Sequence, residues 1–283
     1  MCRKYPVAGS VYSYVSKSIG PRLGFITGWT MMLDYFLLPM TCYLSLGLYL
    51  NILVPAVPIW VWVIIGVIFV AVCNYFGVTI AGFMNTINVV APIIALVITM
   101  VAIIVFVSKG GGAGTLLFPE ALYNPETFQI NTLMTGAAIM AVVFVGFDSV
   151  TTYSEETIEP EKNMPRAVVI ICVGAAIEFF ICAYIMNCGW PWADAAGILQ
   201  NPDTAVTEYN DHIGIAWMNF IFIIINTLAC IGCCIAGQGA TARILLGMGR
   251  DGFIPRKFFG YVHPKFKTPS RNILLSAVVG LTA

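Results

Sequence analysis

Residues 142–166 read VVFVGFDSVTTYSEETIEPEKNMPR, and the rest of the chain is interpreted outward from this stretch. An apolar run is interrupted at Gly146, which is followed at once by Phe147, Asp148 and several hydroxyl side chains. Glycine weakens a helix interior by roughly 1 kcal/mol, and a charge in the middle of a bilayer costs about 2.5–3.5 kcal/mol. Such a break persists in a membrane only where the backbone lines a cavity. The stretch therefore predicts a discontinuous spanning helix, which is typical of a transporter's binding site.

The composition places the chain in lipid. Of its 283 residues, 59% are hydrophobic and only 10% are charged, whereas soluble domains carry about 25% charged residues. Its 14 cations balance its 14 acids, so it lacks the basic surface that nucleic-acid binding requires. The motif GxxxxGK[ST] does not occur in the sequence, which argues against ATP-driven pumping. We therefore expect an integral membrane protein with the lipid bilayer as a partner and no nucleic-acid partner.

Segments of about 20 apolar residues predict where the chain crosses the bilayer. Six full α-helical spans and one partial span are predicted, at residues 24–50, 57–75, 83–107, 132–155, 167–187, 214–240 and 272–283. The last has only twelve residues, too few to cross alone. We therefore expect residues 1–283 to form one incomplete membrane domain that belongs to a longer protein.

The lysines and arginines indicate how the spans are oriented. Under strict alternation, all of the 14 except Lys109 fall on the same side. Because cations are enriched in cytoplasmic loops, residues 1–23, 155–167 and 243–271 are predicted to be cytoplasmic in a multi-pass protein of the plasma or inner membrane. The cations of the last loop can bind anionic lipid, or they can serve only to orient a chain that turns at Pro255, Pro264 and Pro269.

Neither the cysteines nor the histidines predict a metal site. Cys230, Cys233 and Cys234 include a CxxC spacing, but no second pair and no histidine lies near them in sequence. We interpret them as small buried residues. Because the spans also lack a nucleophile–base set, the sequence argues against an intramembrane enzyme.

Three carboxylates fall well inside predicted spans, where acids are functional candidates by default. Asp34 lies about 18 Å along its helix from Arg22, and it can bind a substrate ammonium with Tyr35 beside it, or satisfy a polar group of a neighbouring helix. Asp148 can line the break, or cap the second half of the helix. Glu178 can relay protons, because burial raises a carboxyl pKa, or pair with another helix.

Glu155 and Glu156 follow the broken segment at its predicted cytoplasmic end. Because Lys162 and Arg166 lie close behind them in sequence, the pair can form a gate or an ordinary surface ion pair.

Three motifs resemble the amino acid–polyamine–organocation permeases. PVAGSVYSYVSKSIGPRLGFITGW (6–29) resembles the loop and third helix of that family, and VFVGFDSVTTYSEETIEPEKNMPRAV (143–168) resembles its sixth helix and following loop. ARILLGMGRDGFIPRKFFGYVHPKFKTPSRNILL (242–275) resembles the end of the eighth helix and the loop to the ninth. MLDYFLLPM (32–40) and FDSVTTYSEET (147–157) are most similar to the branch that imports putrescine.

The resemblance implies the LeuT-like fold, a five-plus-five inverted repeat that works by alternating access. The spans here would be helices three to nine of about twelve. Residues that would bind the substrate are then Asp34, Tyr35, Phe144, Val145, Gly146, Phe147 and Asp148, with Glu155, Glu156 and Glu178 in gating or coupling. Some members carry a lysine in helix five that replaces a sodium ion, but residues 83–107 contain no charge, so the coupling ion, a proton or sodium, stays open.

The sequence thus predicts secondary active transport of amino acids or polyamines, with a putrescine-like cationic amine favoured and no cofactor. Two alternatives stay open. One is a transport-incompetent piece of a permease, and the other is an amino acid exchanger. The oligomeric state is not predicted.

Overall fold

The computed structural model describes residues 10–125, 128–191 and 205–282, and every regular element in these ranges is a helix. The α-helices are α1 (Ser10–Ser18), α2 (Pro21–Leu53), α3 (Ile59–Phe76), α4 (Val78–Ser108), α5 (Ile130–Val143), α6 (Pro160–Gly189), α7 (Ala205–His212), α8 (Met218–Arg250), α9 (Arg256–Phe259) and α10 (Ser270–Gly280). Two 3₁₀ helices span Pro119–Ala121 and Ser149–Glu156.

Five of the described helices are long and apolar enough to cross a bilayer, namely α2, α3, α4, α6 and α8. The shortest of them, α3, has 18 residues, which at 1.5 Å per residue reaches about 27 Å. This is close to the roughly 30 Å thickness of a hydrocarbon core. The helix α5 has 14 residues and is too short to cross by itself.

The structure adds detail to three of the predicted segments. Within the segment 1–23, predicted to be cytoplasmic, residues Ser10–Ser18 form α1. The segment 132–155 consists of α5 followed by turns and a 3₁₀ helix rather than two α-helical halves. The helix α8 continues to Arg250, past the predicted span end at residue 240, because ATARILLGMG consists mostly of apolar and small residues and its one charge, Arg243, pairs with Glu156.

The chain divides into two units, and α4, α6 and α8 each contribute residues to both. The first unit comprises Met1–Val90, Gly146–Ile170 and Ile225–Ala283. The second comprises Ala91–Val145 and Ile171–Ile224.

In the first unit, α8 packs against α2. The hydroxyl of Thr241 donates to the Tyr35 carbonyl at 3.0 Å. Gly237 lies so close to α2 that an added Cβ would stand 2.7 Å from Pro39. Two buried clusters extend this contact, one with α1 and one with α3 and α10. Their fully buried members include Tyr12, Tyr43, Val67, Val70, Ile235, Ile244 and Met248.

The second unit has its own core, formed by the ends of α4 and α6 with α7. Tyr209 donates to the Met186 carbonyl at 2.9 Å, and burial raises the pKa of the Tyr209 hydroxyl above its usual value. The imidazole of His212 stacks on Trp190, with ring centroids 4.2 Å apart. These contacts join α7 to the end of α6.

Candidate functional site

The helix is interrupted where the sequence predicts it. The helix α5 ends at Val143, residues 144–148 form turns, and the 3₁₀ helix begins at Ser149. Gly146 has φ +97°, a backbone conformation that glycine adopts at little cost and other residues rarely adopt. No atom lies within 4 Å of a Cβ added there. The need for glycine therefore comes from the backbone conformation and not from crowding.

Hydroxyl side chains make local hydrogen bonds along the 3₁₀ helix that forms the second half. Thr151 donates to the Asp148 carbonyl at 2.7 Å, Thr152 donates to the Ser149 carbonyl at 2.7 Å, and Ser154 donates to the Thr151 carbonyl at 2.6 Å. Each acceptor lies three residues back, the same offset that a 3₁₀ helix uses for its backbone bonds. Serine and threonine often compete with helical bonding in this way.

Asp148 is held by a helix distant in sequence. Tyr35 on α2 is only 2% exposed, and its hydroxyl donates to the Asp148 carboxylate at 2.9 Å. Asp148 occupies the N-cap position of the 3₁₀ helix, but its side chain makes no capping hydrogen bond. The cap interpretation of Asp148 is therefore wrong, because the carboxylate is turned toward Tyr35.

Asp34 lies near the same pair. Its side chain is exposed and interacts electrostatically with the Asp148 carboxylate. The first unit thus brings Asp34, Tyr35 and Asp148 together, with two carboxylates and one hydroxyl. Like charges repel, so a cation that binds beside both carboxylates would be stabilised by each of them.

A small cavity lies beside Tyr35, also lined by Pro39, Gln238 and Ser276. Its volume of about 10 Å³ is near the minimum for one water molecule. The amide nitrogen of Gln238 is buried without a hydrogen-bond partner among the described residues, while its oxygen accepts from Asn74 at 2.9 Å. The cavity is too small for a substrate.

Two ion pairs connect the 3₁₀ helix to α8. Arg243 donates to the Glu156 carboxylate from its Nε and Nη2 atoms, at 2.9–3.0 Å. Its guanidinium also lies 3.8 Å from the ring centre of Tyr153. Arg250 binds Glu155 at 2.9 Å. The Arg243 side chain is 6% exposed, whereas that of Arg250 is 44% exposed. Of the two pairs, only the first is well shielded from solvent.

Glu155 and Glu156 pair with arginines of α8 and not with the cations that follow them in sequence. The sequence placed them beside Lys162 and Arg166, but Lys162 pairs with Glu159 at 3.1 Å. Arg243 was counted as a loop cation because hydropathy alone assigns arginine to water. The small residues around it, GATARILLG, were the available signal that this arginine is buried in a helix.

Of the remaining predicted site residues, Phe147 is exposed and belongs to the first unit, whereas Phe144, Val145 and Glu178 belong to the second. The ring of Phe144 meets Phe179 edge to face, with centroids 5.5 Å apart, and Val145 is exposed. Glu178 is exposed on α6 with Cys182 as an electrostatic neighbour. The roles of these four residues stay predictions.

The sequence model of one family, amino acid permease, matches residues 1–283. The chain belongs to the amino acid permease family. With its five apolar helices, the permease is a multi-pass membrane protein. Its membership agrees with the resemblance carried by the three sequence motifs.

Several relatives of the permease have names that state what they carry. It is 32% identical to the low-affinity putrescine importer PlaP of Escherichia coli (strain K12), over 100% of the chain and 62% of that protein. It is 25% identical to the branched-chain amino acid permease BcaP of Bacillus subtilis (strain 168), over 93% of the chain and 58% of that protein. It is 24% identical to the vacuolar cationic amino acid transporter 4 of Arabidopsis thaliana, over 99% of the chain and 48% of that protein. The permease chain therefore spans from about half to 62% of the length of these relatives.

Proposed function

We propose that this permease chain takes part in secondary transport of a cationic amine, with a putrescine-like diamine as the favoured substrate. The observation that carries the proposal is the group of Asp34, Tyr35 and Asp148, in which the Tyr35 hydroxyl holds one carboxylate at 2.9 Å. Two neighbouring carboxylates form a natural site for an ammonium group. The putrescine importer among the relatives supports the same substrate class.

In the proposed mechanism, the break at residues 144–148 supplies the polar backbone. Turns without helical bonding leave peptide dipoles free to meet the polar ends of a substrate. Asp34 and Asp148 neutralise the ammonium, and Tyr35 keeps Asp148 in position. Alternating access then exposes the bound amine to the other side of a plasma or inner membrane.

The two ion pairs are proposed to form a gate at the cytoplasmic end of the broken segment. Arg243 and Glu156 hold the 3₁₀ helix to α8 in one state, and breaking the pair would release that helix. The exposed pair of Arg250 and Glu155 would add little to the barrier, since exposed pairs contribute about 0–1 kcal/mol. Glu178 is proposed to relay a coupling proton, with sodium as the alternative ion.

The second candidate substrate class is amino acids, by symport or exchange. The names of the branched-chain and cationic amino acid transporters among the relatives favour it. In that case the carboxylate of the substrate would meet the turns at Gly146 and its ammonium would meet Asp148.

Uptake of radiolabelled putrescine, competed by diamines and by amino acids, separates these candidates. Cells would express either the 283-residue chain or the chain with its flanking coding sequence. Competition by diamines alone is the expected result. Competition by amino acids would shift the substrate to the second class, and release of preloaded amino acid on addition of external substrate would indicate exchange. Absence of uptake by the shorter form alone would identify that chain as transport-incompetent.

A further inference from the structure

The loop between α8 and α10 carries an excess of positive charge. Its exposed cations are Arg256, Lys257, Lys265, Lys267 and Arg271. None of the five forms an ion pair with a residue in the described part of the chain, where the three ion pairs involve other cations. The single acid between residues 250 and 271 is Asp251, and its carboxylate accepts a hydrogen bond from Tyr12 at 2.5 Å. This set of five cations, here called the cationic loop, therefore lacks compensating charge within the described chain.

Hydrogen bonds give the first half of the cationic loop a defined shape. The guanidinium of Arg271 donates to the Lys257 carbonyl at 2.7 Å and lies 4.1 Å from the ring centre of Tyr261. The amide of Asn272 donates to the Phe259 carbonyl at 2.9 Å. These contacts fix α9 against the start of α10, so that Arg256, Lys257 and Arg271 project from a structured segment.

The second half is fixed in a similar way. The amide of Lys267 donates to the His263 carbonyl at 2.8 Å, and the hydroxyl of Thr268 donates to the Tyr75 carbonyl at 3.1 Å. The ring of Phe266 packs against Phe76, with centroids 5.3 Å apart. The turn that carries Lys265 and Lys267 is thereby held at the end of α3. Cations held in a fixed arrangement lose less freedom on binding an anion than cations on a flexible tail.

The position of the cationic loop selects the kind of anion. It joins the end of one apolar spanning helix to the next helix, so it lies at the membrane surface. The side chain of Phe258 is 41% exposed beside Arg256 and Lys257 on α9. Aromatic side chains favour the headgroup region, and clusters of four to eight cations next to a spanning helix attract anionic headgroups.

We propose that the cationic loop is a binding surface for the anionic headgroups of phospholipids. The surface is separate from Asp34 and Asp148, and the proposal does not depend on the transported substrate. It goes beyond orientation of the chain, because a loop that only orients the protein needs no preference among lipids once the protein is inserted.

The test measures which lipid stays on the purified 283-residue chain. The chain in neutral detergent is given equal amounts of phosphatidylglycerol and phosphatidylcholine with the same acyl chains, and the retained lipids are counted by mass spectrometry. We expect phosphatidylglycerol to be retained at least about tenfold more, since each cation near the headgroups contributes about fivefold. The preference should fall as ionic strength rises, because salt screens exposed charges.

Charge variants assign the preference to the loop. The variant R256Q/K257Q/K265Q/K267Q should lower the ratio of the two lipids to about fivefold or less, the contribution of the one remaining cation, and it leaves Arg271 in place because Arg271 holds α9. The matched control R3Q/K4Q/K17Q/R22Q removes the same charge elsewhere and should keep the preference. The variant K257R/K265R/K267R should also keep it. If the loop variant unfolds, K265Q/K267Q should still lower the ratio by at least about tenfold.

Three results would overturn the proposal. The first is an unchanged ratio in the folded loop variant, which would leave the cations with orientation alone. The second is an equal loss in the loop variant and the control, which would make net charge the cause. The third is displacement of phosphatidylglycerol by inorganic phosphate but not by chloride at the same ionic strength, which would identify a site for small anions.

Discussion

Asp34 is the residue that tests the proposed cation site most directly. Its carboxylate is exposed and forms no ion pair within the described residues, so its charge is available to a substrate. We expect Asp34→Asn to raise the apparent KM for putrescine at least about tenfold, which corresponds to about 1.4 kcal/mol of lost binding. Glu120→Gln, which neutralises an exposed acid on the first 3₁₀ helix, should leave the KM unchanged. An unchanged KM in Asp34→Asn would remove Asp34 from the site.

Gly146 makes a prediction about stability. Its φ of +97° is strained for any residue with a Cβ, so Gly146→Ala should lower the free energy of unfolding by about 1–2 kcal/mol. Gly136 in the middle of α5 also has no atom within 4 Å of an added Cβ, but there alanine should stabilise the helix by up to about 1 kcal/mol. The same chemical change is thus expected to have opposite signs at the two positions. Thermal unfolding in detergent measures both, and equal shifts would contradict the assigned backbone conformation.

The sequence predicted the role of Gly146 better than that of Asp148. The break at Gly146 was predictable, because glycine followed by phenylalanine and aspartate conflicts with an apolar helix on local grounds alone. The hydrogen bond between Tyr35 and Asp148 joins residues 113 positions apart, and no local pattern indicates which tyrosine an aspartate will meet. The cap interpretation of Asp148 failed for this reason, since a nearby backbone N–H donor was the only partner that the sequence could suggest.

At the scale of elements, the contact between the 3₁₀ helix and α8 is the one that can be tested. Glu156→Gln removes the partner of Arg243, whose side chain is only 6% exposed, and an unpaired buried charge is strongly destabilising. Because Glu156 itself is 30% exposed, the expected loss falls just below the usual range of about 3–5 kcal/mol, at about 2–3 kcal/mol. The neighbouring Glu155→Gln breaks an exposed pair and should cost less than about 1 kcal/mol.

The two glutamate variants control for each other, since they make the same chemical change at adjacent positions and differ chiefly in the burial of the arginine partner. Thermal unfolding in detergent gives the two losses. A Glu155→Gln loss equal to that of Glu156→Gln would mean that burial of Arg243 does not determine the strength of the contact. Uptake measured for the same two variants tests the proposed gate. A weakened gate should change the maximal rate of transport more than it changes the KM.

The boundaries of α8 mark the limit of prediction from hydropathy. Where the sequence is uniformly apolar, helix bounds and predicted span bounds lie close together, and α3 begins and ends within two residues of the span predicted at 57–75. The helix α8 continues to Arg250, past the end of the span predicted at 214–240, because hydropathy assigned Arg243 to water. Its charge is instead matched by Glu156 from a segment 87 residues away, and such matching is invisible to a local hydropathy average.

At the scale of the whole molecule, the question is whether residues 130–156 cross the membrane. The helix α5 reaches only about 21 Å with its 14 residues at 1.5 Å each. The 3₁₀ helix has 8 residues and adds about 16 Å of length at 2.0 Å per residue. Neither part spans about 30 Å of hydrocarbon alone, so the segment can cross only if both parts and the turns between them are used.

Reporter fusions after Gly112 and after Lys267 answer this question, because an odd or even number of crossings before each position determines its side of the membrane. With the N-terminus inside, three spanning helices precede Gly112, so alkaline phosphatase fused there should be active outside. Five spanning helices precede Lys267, and a sixth crossing by residues 130–156 should place that position inside, where green fluorescent protein fluoresces. Each position is fused to both reporters, and the two should respond oppositely. Phosphatase activity at both positions would mean that the broken segment does not cross, and would remove the binding site proposed at its break.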